Sequence, residues 1–471
     1  MPKHFLLMIV IRPFITFFCG LALALGTLSS SQAENWPHWR GPLFNGSSPE
    51  SNLPEKFSRT ENVLWSADLP GSGAATPIIW GGRVFISSVD AANQALVALC
   101  FDHGSGRLVW SNQVSSGAIS KDDRSNFASA SPVTDGKVVV FFYSSGDLAA
   151  YDFSGKKIWA RNMQKDYGQF AFLWTFSSSP TLFDNKIFLQ VLQRNVPVNG
   201  RGRQGGPNDS YLLALEPQTG KELWKVIRPS DARDESFEAY TTPIPFTDKG
   251  RTELLIAGGD CLTAHDPATG KEFWRWGTWN PQRRGDWRLV PSPVAGGGVV
   301  LACAPKRAPV YAVKTGGAGK QDDSALAWKS QERGVSSDVS TPLFYKGRFY
   351  VLNSDDRLLS SIEPATGKVF WTGDLKAEEK AEVAPAQAGR RGGRFSSQAK
   401  IEASPTGADD KIYAINFKGE VFVVGTGDTF QLLHRAAMGS DADKQIRSTI
   451  AVSQDHLFIR TDTKLYCIGK K

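Results

Sequence analysis

The stretch that decides the fold is ALEPQTGKELW, residues 214–224, with its near copies AHDPATGKEFW at 264–274 and SIEPATGKVFW at 361–371. In each, an alternating strand runs into a tight turn, and a tryptophan opens the strand that follows. The acidic residue and the threonine can hydrogen-bond the turn's backbone, while the glycine supplies a left-handed residue. The indole can then bury up to ~250 Å² between neighbouring sheets. Looser versions end at Trp110 and Trp159, each four residues after a glycine, Gly106 and Gly155. A stretched fifth copy has Trp328 as its counterpart, and a seventh reads Gly427-Asp428-Thr429-Phe430 with no tryptophan. Five indoles at one offset from a turn glycine define a structural repeat.

A second signal keeps the same rhythm. A small hydroxyl residue precedes proline at Thr76-Pro77, Ser131-Pro132, Ser179-Pro180, Thr242-Pro243, Ser292-Pro293, Thr341-Pro342 and Ser404-Pro405, and Ser448-Thr449 is an eighth copy without the proline. Proline is tolerated at the first residue of a strand, where no ladder N–H is required. Turns such as Gly81-Gly82-Arg83 and Asp135-Gly136-Lys137 follow, suited to two-residue hairpins. Each unit thus holds four short strands, one blade of a β-propeller. The expected fold is all-β: an eight-bladed propeller of four-stranded antiparallel blades. Blade eight lacks its fourth strand, whereas residues 62–69 (NVLWSADL) read as a fourth strand with no blade before them. Giving that N-terminal strand to blade eight closes the ring and removes two sheet edges.

Composition agrees. The 471 residues include 45 glycines and 14 tryptophans but only 4 methionines, which suits many short strands and tight turns. Residues 1–33 read as a secretory signal: Lys3, His4 and Arg12 are followed by an apolar run to Leu28, then by Ser31-Gln32-Ala33 before Glu34. The expected organisation is a signal at 1–33, an N-terminal extension at 34–60 and the propeller at 61–471. A periplasmic or secreted protein follows, with no transmembrane segment after signal removal. Losing Lys3 and Arg12 with no acid takes the net charge from +7 to +5. The scattered basic residues form no stripe, which argues against nucleic acid as a partner. Cys100, Cys261, Cys303 and Cys467 remain, with no C-x-x-C and no adjacent pair, so spacing does not pair them and gives no support to a zinc ribbon or haem attachment.

The A-x-[DE]-x-x-T-G-K-x-x-W segments resemble the tryptophan-docking repeats of the pyrroloquinoline-quinone (PQQ) dehydrogenase-like propellers, and the likeness runs over about 61–471. The opening Trp36-Pro-His-Trp39-Arg-Gly41-Pro is similar to the start of many exported proteins of that type. The resemblance specifies fold strongly and function weakly, because its residues hold blades together. Quinone-dependent members imply a vicinal cysteine pair, a calcium with acidic ligands and a catalytic aspartate. None of these maps onto a matching position here, so a non-enzymatic binding or scaffold role is the expectation and PQQ with Ca²⁺ is the alternative. No G-x-S-x-G, H-E-x-x-H or Walker loop is present, and no catalytic or metal-ligating residue is assigned. A related propeller assembles outer-membrane proteins, but Phe17-Phe18-Cys19 makes a poor lipoprotein site.

Propellers bind at one end of the central channel, on loops leading into each innermost strand. Five residues before each proline the repeat becomes diverse and charged: Glu238, Arg288 and Lys400 stand beside Ser72, Phe127, Thr175, Ser337 and Lys444. With their neighbours, the candidate ligand-binding residues are Arg124, Asn126, Trp174, Glu238, Tyr240, Arg288, Asp338, Lys400, Glu402 and Arg447. Mixed charge with Trp and Tyr suits a polar small molecule, a glycan or an envelope protein, bound by a monomer. Two insertions, 193–209 and 377–398, carry arginines and offer no apolar face, so both are expected to be mobile loops.

Overall fold

The computed structural model describes Met1, residues 34–376 and residues 400–471. The expected signal over 1–33 and the 377–398 insertion lie outside the described residues. Eight antiparallel sheets follow one another along the chain at 78–116, 133–162, 181–227, 244–276, 294–329, 343–374, 406–437 and 451–468, here blades one to eight. Among the described residues seven of the sheets have four strands. In blade four the segment Gly319–Gln321 adds a fifth, parallel to Glu272–Trp276.

The ring closes as the sequence implied. Val63–Asp68 pairs antiparallel with Lys464–Ile468 as the outer strand of blade eight, with Trp65 opposite Cys467. The N-terminal and C-terminal ends of the propeller therefore share one sheet, and the outer side of Lys464–Ile468 is covered.

The indoles lock each blade to the next. Trp65 donates to the His103 carbonyl (2.7 Å), Trp110 to Phe153, Trp159 to Pro217, Trp224 to Pro267, Trp328 to Pro364 (2.7 Å) and Trp371 to Gly427. Every acceptor lies in the turn of the following blade. Beneath five of these rings sits a turn glycine: a Cβ at Gly106, Gly155, Gly220, Gly270 or Gly367 would fall 2.4–2.8 Å from an indole atom. The repeat glycine is thus required by close approach as well as by its turn. Trp274 departs from the pattern, donating instead to the buried Glu253 of its own blade (3.2 Å), where the extra strand intervenes. In blade seven His434 takes the tryptophan's place in the ladder, opposite Val423, and its Nε2 bonds the Phe57 backbone.

The hydroxyls before the prolines make a second, inner ring. The N–H of Thr76 donates to Ser131 Oγ, Ser131 to Ser179, Ser179 to Thr242, Thr242 to Ser292, Ser292 to Thr341 and Thr341 to Ser404, at 2.8–3.2 Å. A small hydroxyl is selected there because it must satisfy a backbone donor of the preceding blade at the crowded axis.

Residues 34–50 cross one end of this axis. Trp36 exchanges two backbone hydrogen bonds with Ile79 of blade one, Pro37 accepts from Thr134 of blade two, and Phe44 meets Phe183 of blade three edge-on. Asn45 accepts from Phe344 of blade six, and Ser48 donates to Gly407 of blade seven. At the centre Arg40 is buried and donates to the carbonyls of Pro342 (2.8 Å), Asn45 (3.0 Å) and Pro405 (3.2 Å). Burial away from water pulls its guanidinium down to about 9.

Candidate functional site

The plug converts the central channel into a blind cavity. Its floor is Trp39, whose Nε1 donates to Thr449 Oγ1 at 3.3 Å. Its wall carries Ser131, Ser179, Thr242, Thr341 and Ser404, and its mouth carries Arg124, Trp174, Tyr240, Arg288, Glu402 and Arg447. Counting its open mouth, the empty space is about 1020 Å³. The mouth loops enter the innermost strands from one end, and the plug meets those strands at the other.

Six of the ten sequence-derived residues line this cavity, and the other four are placed differently. Glu238 is fully buried just behind the wall: its carboxylate accepts from Tyr240 (2.5 Å), Arg194 (2.5 Å) and the Leu173 N–H (3.0 Å). Burial, and then that carboxylate, hold the Tyr240 phenol well above its ordinary range, so it stays a protonated donor. Asn126 reaches Ser72 (2.9 Å) and lines a neighbouring groove. Asp338 accepts from the Lys306 backbone (2.8 Å), and Lys400 pairs with Asp355 (2.6 Å), both away from the lumen.

Trp174 is held from several sides. Lys121 Nζ donates to the Phe172 and Trp174 carbonyls (3.1 and 2.5 Å), Arg201 donates to Phe172 (3.1 Å), and the indole N–H reaches Glu235 (3.0 Å). The Arg124 guanidinium lies 4.8 Å from its ring centroid, a cation–π arrangement. Burial, reinforced by Arg201, lowers Lys121 to about 8. The 193–209 insertion takes part in this scaffold and is not the unpacked loop its composition suggested. Gln193 accepts from the Ala171 N–H (2.8 Å), Arg194 N–H donates to Ala171 (3.1 Å), and Asn208 is buried. Polar backbone bonding, which hydrophobic patterning does not report, holds it down.

The mouth carries three guanidiniums, two of them facing carboxylates. Arg447 pairs with Glu402 (2.7 Å), Arg288 approaches Glu235 (3.5 Å), and among the described residues Arg124 has no ion pair. Below it the wall is rich in donors. Each of the five lumen-lining ring hydroxyls already accepts a backbone N–H, and among the described residues none donates a bond of its own. Sequence reading missed this ring and the Trp39 floor, because the partners lie one blade away and are not spaced along one segment.

The calcium that the resemblance implies beside its quinone does not fit these residues. Calcium asks for six to eight oxygen ligands, several from carboxylates. Glu402 is engaged by Arg447, Glu235 by Trp174 and Arg288, and Glu238 by Arg194 and Tyr240. Among the described residues no group of three His, Cys, Asp or Glu side chains could hold a metal. Cys100, Cys261, Cys303 and Cys467 are free and buried, with burial pushing Cys100, Cys303 and Cys467 up to about 12. No helix among the described residues is long and apolar enough to cross a membrane.

Comparison with known proteins agrees with the architecture. A family model described as "Outer membrane protein assembly factor BamB" matches residues 58–196 and 208–471, the gap falling within the 193–209 insertion. A polyvinylalcohol dehydrogenase of Pseudomonas sp is 24% identical over 258 residues, 51% of this chain. The match spans only 35% of that relative's length. Among solved structures, BamB of Moraxella catarrhalis superposes with a TM-score of 0.52 at 13% identity, covering 87% of this chain and 99% of that one. The quinohemoprotein alcohol dehydrogenase of Comamonas testosteroni gives 0.59 at 13% identity, covering 93% and 81%. At these identities the structural likeness speaks to the fold alone.

Proposed function

The chain belongs to the family described as outer membrane protein assembly factor BamB, and on that premise we propose that it is an exported binding propeller whose ligand enters the mouth of the central channel. One observation carries this reading: the channel is closed below by its own N-terminal segment and lined above by an immobilised indole and three guanidiniums. A wall built only for blade packing needs neither a stacking platform nor cations at its centre. Glu238 and Glu402 act here as positioning groups, the first fixing Tyr240 and Arg194, the second orienting Arg447. Hydrogen exchange, recorded with and without envelope extract, tests the location. Protection is expected at the 122–127, 172–177 and 286–290 mouth loops. Protection confined to the outer strands would refute it.

A second reading is quinone-dependent oxidation of an alcohol, favoured by the match to polyvinylalcohol dehydrogenase. Dye reduction by the purified protein with PQQ, Ca²⁺ and a polyol would establish it. Absence of turnover would leave binding alone.

A further inference from the structure

The geometry points to a narrower ligand class: we propose that the channel is an end-on socket for the terminal acidic sugar of an oligosaccharide. The inference rests on the channel being the binding site, as argued above. Four observations converge. The first is the donor excess. Arg124, Arg288 and Arg447 stand at the mouth, and each of the five ring hydroxyls below has one of its two lone pairs taken by a backbone N–H. Their hydrogens are not committed to an acceptor among the described residues and are free to donate into the lumen, so the wall offers donors to a polar ligand while the mouth guanidiniums favour negative charge.

The second is the aromatic pair. Trp174 and Tyr240 flank the same space, and Trp174 is fixed by hydrogen bonds to its backbone and its indole nitrogen. A sugar ring presents C–H bonds to such a face and hydroxyls to the wall. A peptide would instead require apolar side-chain pockets, and the lumen's aliphatic lining is limited to Ala74, Val290 and Val339.

The third is the closed floor. With Trp39 bonded to Thr449, a chain cannot thread through, so a terminal unit is the part that fits. The fourth is the way out. A groove of about 1090 Å³, open side included, shares Ala74, Arg124, Ser125 and Arg447 with the cavity and continues to Lys444 and Gln445. The remaining units of a chain can leave along it between blades eight, one and two, past Lys444 and the carboxylates Asp122, Asp123 and Asp462, so negative charge is asked for at the terminal unit and not along the groove.

Titration calorimetry of the purified protein tests this with four probes: tetragalacturonate, a sulfated galactan tetramer, neutral maltotetraose, and PQQ. An acidic tetramer is expected to bind about tenfold or more tighter than maltotetraose, since charge-assisted hydrogen bonds supply the difference. Carboxylate or sulfate specificity then identifies the anion. Arg288→Gln and Arg447→Gln should each weaken binding about tenfold. Arg124→Gln should do the same without disturbing an ion pair, which keeps the test open if Arg447→Gln fails to fold. Long polygalacturonate should saturate at one protein per chain end. Equal binding of maltotetraose, insensitivity to all three arginines, or many proteins along one polymer chain would each overturn the proposal. Binding of PQQ without any saccharide would also overturn it while leaving the channel as the site. A footprint lying only on the outer strands would remove both.

Discussion

Alanine at Gly270 should cost far more stability than alanine at Gly347, although both glycines adopt left-handed backbone, φ +75° and +73°. At Gly347 a Cβ would meet nothing within 4 Å, so Gly347→Ala carries only the backbone penalty of about 1–2 kcal/mol. At Gly270 the same Cβ would fall 2.8 Å from Trp224 Cε3 and Cζ3 and 3.0 Å from Val226 Cγ1. The indole cannot retreat without losing its bond to the Pro267 carbonyl at 3.2 Å. Overpacking of that kind adds about 1–3 kcal/mol, so Gly270→Ala should lose roughly 2–5 kcal/mol in all. Urea denaturation followed by tryptophan fluorescence gives both values. The double variant Gly270→Ala/Trp224→Ala should be markedly less than additive, because the second change removes what the first strikes. Equal losses at the two glycines, or strict additivity in the double variant, would refute indole docking as the reason for the repeat glycine.

Three further outcomes follow from buried groups. Burial lowers His38 to about 3 and His103 and His265 to about 4, below the unfolded value near 6.5. The folded state therefore binds fewer protons than the unfolded chain, and stability, complete above pH 6.5, should fall as pH drops toward 4, by up to about 1.4 kcal/mol per unit for each histidine. Asp260, raised to about 6 by burial, opposes this but is outnumbered, and denaturation midpoints at pH 7.5, 6 and 5 that did not decline would contradict the assignment. Arg40→Ala strands the carbonyls of Pro342 and Pro405 at the plug; it should cost about 2–4 kcal/mol and raise acrylamide quenching of Trp39, and unchanged quenching would deny the plug its role as floor. The four buried thiols should ignore Ellman's reagent until the protein is unfolded; reaction of any of them in the native state would place that cysteine on an accessible surface.

The blade pattern was readable because its determinants are local. The turn from Glu216 to Gly220 and the following Trp224 sit within one short segment, and the orphan strand at 62–69 pointed to blade eight because each end of the chain lacked what the other supplied. What escaped the sequence depends on partners in another blade. Ser131 reads as a strand opener, yet its hydroxyl serves Thr76, 55 residues earlier. Glu238 reads as a charged rim position and turns out to be sealed beside Arg194, itself part of an insertion whose composition suggested no packing. His434 fills a tryptophan site because the N-terminal extension brings Phe57 against it. Offsets from the prolines brought six of the ten residues to the mouth, but Asp338 and Lys400 share that offset region and turn away, Asp338 to the Lys306 N–H and Lys400 to Asp355.

The claim on which the functional account depends is that the plugged channel, and no other surface, receives the ligand. A crystal structure of the protein with tetragalacturonate tests it most directly. The terminal ring should lie above Trp39 and against Trp174, with its carboxylate at hydrogen-bonding distance, about 2.7–2.9 Å, from a mouth guanidinium. A lumen holding only ordered water, with the saccharide bound on another surface, would contradict it.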